Sequence, residues 1–180
     1  MGGRSTDRLF AIAALTVAAG AGALALGRAL ADRGHRVTGQ AKWIWATREI
    51  PRPKPRRFTA ERLFSLPAPP AAARAAIFVD RSYVLSVNGE RVGQGEKRPG
   101  DALDFYDVAR FLRSGQNGIA IEAASDNGVG GILFVLDFGP GGPAPVVSDE
   151  RWTVNGALAI VWGKPPMYPW GFPPTPTPRR

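Results

Sequence analysis

The chain has no cysteine, so disulfides, thiolate nucleophiles and cysteine-ligated metals are excluded, and either redox environment suits it. It has one histidine, His35, so a multi-histidine metal site cannot be assembled within one chain. Acidic residues are scarce, 15 against 23 lysines and arginines, which leaves a net charge of +8. Such a chain seeks nucleic acid, anionic lipid or an acidic protein. No recognition helix or RNA-binding motif is present, so nucleic acid is not expected as a partner. No glycine-rich loop leads from a strand into a helix. Gly128-Val129-Gly130-Gly131 is a turn, so neither a nucleotide nor another cofactor is expected.

What is abundant is glycine, 22 residues, and proline, 17, with strand-like runs between them. That alternation predicts an all-β domain. About 120 of the 180 residues remain once the two unusual ends are set aside, enough for one core.

Residues 1–8 form a short flank with Arg4 and Arg8. Residues 9–27 carry no charge, and a stretch of that length just spans a bilayer at 1.5 Å rise per residue. Two readings compete for it, a retained transmembrane anchor and a cleaved signal peptide ending at Ala29-Leu30-Ala31. Arg28 interrupts the approach to that cleavage site, and the run is longer than a signal core, which favours a single-pass anchor. Ala14, Ala18 and Gly22 recur at helical spacing and would let another helix approach closely. Residues 28–40 form a basic juxtamembrane linker. With Arg52, Lys54 and Arg56 in the stretch TREIPRPKPRR (47–57), they suit anionic lipid headgroups or a membrane-protein partner. The balance of Lys and Arg across the span places the domain on the cytoplasmic side.

Candidate strands follow at sandwich spacing over 41–163. Residues 41–46 carry Trp43 and Trp45 in alternation. Residues 57–66 alternate with Phe58, Ala60, Arg62, Phe64 and Leu66 on one side. Residues 75–80 are a short buried run. Residues 82–88 and 91–94 flank Asn88-Gly89, a strong hairpin signal because both residues tolerate positive φ. Residues 107–112 predict one helical turn packing Val108 and Leu112. Residues 118–124, 132–138, 151–154 and 157–162 complete the set.

The order of these pieces resembles a known family. AKWIWA (41–46), RRFTAERLFSLP (56–67), AAIFVDRSYVLSVNGERVGQG (75–95), YDVARFLRSGQNGIAIEA (106–123), GGILFVLDF (130–138), SDERWTV (148–154) and MYPWG (167–171) resemble the galactose-binding-like β-sandwich preceding the catalytic domain of bacterial α-L-rhamnosidases and related glycoside hydrolases. The resemblance implies a jelly-roll sandwich, a carbohydrate-binding ancestry, Trp43, Trp45 and Trp152 as framework residues, and a domain on the periplasmic side. It does not imply hydrolysis, because the helical domain with the acidic catalytic residues has no counterpart here.

No catalytic residue is assigned. Glycoside hydrolysis needs two facing carboxylates, and the acidic residues fall at turns and strand ends. Asp126-Asn127-Gly128 offers calcium ligands without the rest of a loop motif, so no metal is expected. Sugar stacking would use Trp43, Trp45 or Tyr83. The segment 164–180, KPPMYPWGFPPTPTPRR, is a proline-stiffened strip carrying Tyr168, Trp170 and Phe172 as partner contacts. Three functions follow: a membrane-anchored accessory subunit of a larger membrane complex, such as an energy-transducing one; a membrane-tethered carbohydrate-binding module at the cell envelope; and a detached part of an enzyme.

Overall fold

The computed structural model describes residues 37–46, 55–126 and 128–175. The strands are β1 (Trp43–Trp45), β2 (Arg56–Leu66), β3 (Arg74–Val79), β4 (Arg81–Val87), β5 (Glu90–Lys97), β6 (Asp104–Asp107), β7 (Gly115–Ser125), β8 (Ile132–Asp137), β9 (Val146–Val147), β10 (Thr153–Val154), β11 (Ala157–Leu158) and β12 (Ile160–Gly163). One 3-10 turn, Ala109–Phe111, lies between β6 and β7, and Val108 and Leu112 beside it are buried. The strands form two antiparallel sheets. The first has the order β12-β1-β8-β3-β6, with β9 beside β8; the second has the order β11-β10-β2-β7-β4-β5.

The domain is therefore an all-β sandwich. The alternation of β2 decides its orientation: Phe58, Ala60 and Leu66 face inward, and Arg57, Glu61 and Leu63 face out. The second sheet shows this pattern throughout, so its outer face is open to solvent. The first sheet is buried on both faces. In β3, Ala75, Ile77 and Val79 enter the core between the sheets, while Ala76 and Phe78 enter a second apolar layer outside. In β8, Ile132, Phe134 and Leu136 go inward and Leu133 and Val135 outward. Continuous apolar runs are what a two-sided burial requires.

Both flanks of the domain form that outer layer. Trp170 is buried there, stacked on Trp43 with ring centroids 4.7 Å apart, and its indole donates to Asp80 at 2.9 Å. The Leu103 N–H donates to the Pro174 carbonyl at 2.9 Å. So residues 164–175 fold back on their own domain instead of running out as an extended strip, and the folded unit reaches past residue 163.

Asn88 (φ 52°) and Gly89 (φ 82°) make the expected tight hairpin between β4 and β5. The same dipeptide at Asn155-Gly156 (φ 51° and 78°) turns β10 into β11. The predicted strand 157–162 is split: Ala159 sits at a corner where the chain leaves the second sheet for the first.

The open side of the sandwich between β5 and β6 is closed by polar groups. The Tyr83 hydroxyl donates to Asp104 at 2.6 Å and lies 3.0 Å from the Tyr106 hydroxyl, and Lys97 donates to Asp104 at 2.6 Å. Among the described residues no helix is long and apolar enough to cross a membrane. The run 9–27 and its small-residue stripe lie outside the described residues.

Candidate functional site

The expected stacking platforms are not at the surface. Trp43 and Trp45 are 0% exposed and Tyr83 is 3% exposed. A register shift between Trp43 and Ile44 sends the two tryptophans apart: Trp45 enters the inner core, where its indole donates to the Gly128 carbonyl, and Trp43 lies in the outer layer under Trp170. Tyr83 is sealed by burial and by its bonds to Asp104 and Tyr106, which hold its hydroxyl pKa far above the usual tyrosine value. No sugar can reach these rings.

Of the proposed partner contacts, Trp170 is 5% exposed and spent on its own domain, Phe172 is half-buried, and Tyr168 is 94% exposed on a bend closed by the Met167–Gly171 pairing. Arg56 is exposed at the start of β2. Arg52 and Lys54, like Ala14, Ala18 and Gly22, lie outside the described residues.

The structure instead gathers Arg74, Phe105 and Asp137 on the outer face of the first sheet. Antiparallel registry sets Arg74 opposite Asp107 on one side and Asp137 on the other. Its guanidinium lies over the Phe105 ring, 4.1 Å from the centroid. Asp107 accepts from the Ala109 N–H and Asp137 from the Gly139 N–H, both at 3.2 Å through one oxygen, so each keeps a second oxygen for a ligand. Two cavities of about 600 and 590 Å³ meet at these residues. The larger has an apolar floor of Ala76, Val135 and Val147 beside Phe105, and Arg151 on its rim. Arg151 is held there by two bonds to Asp149, at 2.8 and 2.5 Å, which raise its pKa further. An apolar floor with a few convergent polar groups is what a small-molecule site consists of. Chemically it offers a planar donor fork flanked by two acceptors, suited to vicinal hydroxyls.

No protein-family model and no curated protein matches the sequence. Solved structures do match. An α-L-rhamnosidase of Streptomyces avermitilis, solved with L-rhamnose, superposes with a TM-score of 0.64 at 22% identity, covering 75% of this chain and 16% of that one. A rhamnosidase of Bacillus sp. gives 0.63 at 25% identity over 72% and 19%. A Pleurotus ostreatus lectin, solved with GalNAc, gives 0.62 at 23% over 77% and 47%. The fold is the galactose-binding-like sandwich. The chain thus spans under a fifth of these rhamnosidases and under half of this lectin. It corresponds to the rhamnosidases' region outside the catalytic part.

Arg74, Phe105 and Asp137 were not among the candidates read from sequence. Phe105 lies on a four-residue strand, DFYD, too short to show a period-two pattern, and neither that strand nor its pairing with β3, which creates the site, was legible in the sequence. Among the described residues no group of three metal-ligating side chains comes together. Asp126 is paired with Arg81 at 3.1 Å.

Proposed function

We propose that this chain is a non-catalytic carbohydrate-binding domain whose site is the Arg74–Phe105–Asp137 cluster. The observation that carries this reading is an arginine fixed on an aromatic ring between two carboxylates, where two cavities meet, on a fold shared with a lectin solved with GalNAc. Arg74 donates to sugar hydroxyls, Asp107 and Asp137 accept from them, and the Phe105 edge and the valine floor cover the apolar face of the ring. The neighbours give no support to a subunit of a membrane complex, so the carbohydrate-binding alternative replaces that reading. The uncharged run 9–27 supports tethering to a membrane, and the family resemblance, against the Lys and Arg balance across the run, supports an extracytoplasmic domain.

The test is a glycan array of the full chain in detergent, followed by calorimetry with L-rhamnose and GalNAc. Arg74→Ala is expected to weaken binding at least tenfold, a loss of about 1.4 kcal/mol or more, and Asp137→Asn to weaken it less. Unchanged affinity in Arg74→Ala, with the fold intact by circular dichroism, would place the site elsewhere.

A further inference from the structure

We infer a second glycan site on the opposite face of the sandwich, a polar trough across β2, β7, β4 and β5 that takes an extended neutral oligosaccharide. This rests on the carbohydrate-binding reading and adds to it a separate surface and a ligand length.

The trough follows from register. Two rows of outward side chains cross the second sheet: Thr59–Glu122–Val84–Gln94, and Arg57–Ala124–Ser82–Glu96. Three of the four middle positions, Ala124, Ser82 and Val84, are short, and the fourth, Glu122, rises from the floor. Of the four outer positions, Arg57, Glu96 and Gln94 are long and Thr59 is short. Between them lies a concavity of about 550 Å³. A solvated strand face with long side chains at every position has no such hollow. β5 contributes by alternation: Gly95 turns inward, where a Cβ would lie 2.7 Å from both the Tyr83 ring and the Asp104 carboxylate, so Gln94 and Glu96 are the residues that point out.

The polar heads are available. Among the described residues, no side-chain hydrogen bond or ion pair engages Arg57, Glu96 or Glu122. The two carboxylates accept and Arg57 donates, a mixture that matches hydroxyls, each a donor and an acceptor. Two carboxylates against one guanidinium repel an anionic glycan, which makes the ligand neutral. The rows span three inter-strand gaps, about 14 Å, or roughly three pyranose rings end to end. The two aromatic residues in its floor, Phe58 and Tyr83, are buried in the core, so each sugar unit is held by hydrogen bonds alone and contributes little. Affinity must then grow with chain length.

Calorimetry of the full chain with rhamno-oligosaccharides and galacto-oligosaccharides of one to six units tests this. The wild type and Arg74→Ala are expected to bind at least tenfold tighter as either series lengthens from one to four units. In the double variant Arg57→Gln, Glu122→Gln this rise disappears and monosaccharide binding stays. Ser82→Gln, which fills the floor and removes no charge, is expected to do the same; thermal melting confirms that these exposed positions leave the fold intact. A rise that survives both variants, or no rise in a wild type that still binds monosaccharide, overturns the trough and leaves the carbohydrate reading standing. A wild type that binds no member of either series overturns both.

Discussion

At Asp80 a carboxylate accepts from the Trp170 indole at 2.9 Å beneath the folded-back tail. Burial raises its pKa above the ordinary value of 3.8, and the bonds from Trp170 and Arg81 only partly offset this. The folded state therefore holds this proton more tightly than the unfolded chain, and stability falls as pH rises through the raised value. Asp80→Asn keeps an acceptor for the indole and removes the buried charge. It is expected to raise the denaturant midpoint at pH 7, with the gain gone below about pH 3.8, where both states are protonated. Equal gains at pH 7 and pH 3.5 would show that charge is not the cause. Tyr83→Phe leaves Asp104 with Lys97 alone and is expected to cost about 1–3 kcal/mol by urea unfolding. Tyrosine in a strand is an ordinary sequence feature, and nothing in the local pattern says whether its hydroxyl will meet a carboxylate or a sugar.

Among the elements, β5 shows how a strand is shaped by what crosses it. Gly93 and Gly95 weaken a strand by their freedom, but a Cβ at Gly93 would lie 2.2 Å from the Tyr106 ring. The two glycines make room for the aromatic closure between β5 and β6. Gly95→Ala is expected to destabilise the domain by about 1–3 kcal/mol and to shift the near-ultraviolet signal of the tyrosines. An unchanged midpoint would mean the rings move aside freely. The sequence marks this stretch as half of an Asn-Gly hairpin, and the hairpin forms. It does not mark which glycine meets which ring, because those rings come from β4 and β6. β6 itself escaped notice because four residues give too little alternation to count. β9 escaped for the same reason.

For the molecule as a whole, the segment 164–175 is part of the fold. Deleting residues 164–180 uncovers Trp43 and opens the outer apolar layer to which Phe78 and Leu133 belong. The truncated chain is expected to melt well below the full chain, as would Trp170→Ala, which should cost about 3–5 kcal/mol. Equal melting temperatures would instead make the segment a free arm for a partner. The apolar runs AAIFV and ILFVL say that two strands are buried on both faces, and a two-sheet sandwich supplies only one. That surplus was the legible hint that another layer covers them.

The sequence by itself determined the all-β class, the Asn88-Gly89 turn, the inward and outward faces of β2 and the family likeness. These depend on period-two patterning and on local φ preferences, which neighbours along the chain set. Only the tertiary structure decided that Trp43 and Trp45 enter different layers, that Trp170 is buried on its own domain, that Arg74 meets Phe105 between two aspartates, and that the outer face of the second sheet is hollow. Each depends on which strand lies beside which. That pairing is fixed by long-range burial and register, and a one-residue slip of a strand would turn that strand's side chains to the other face.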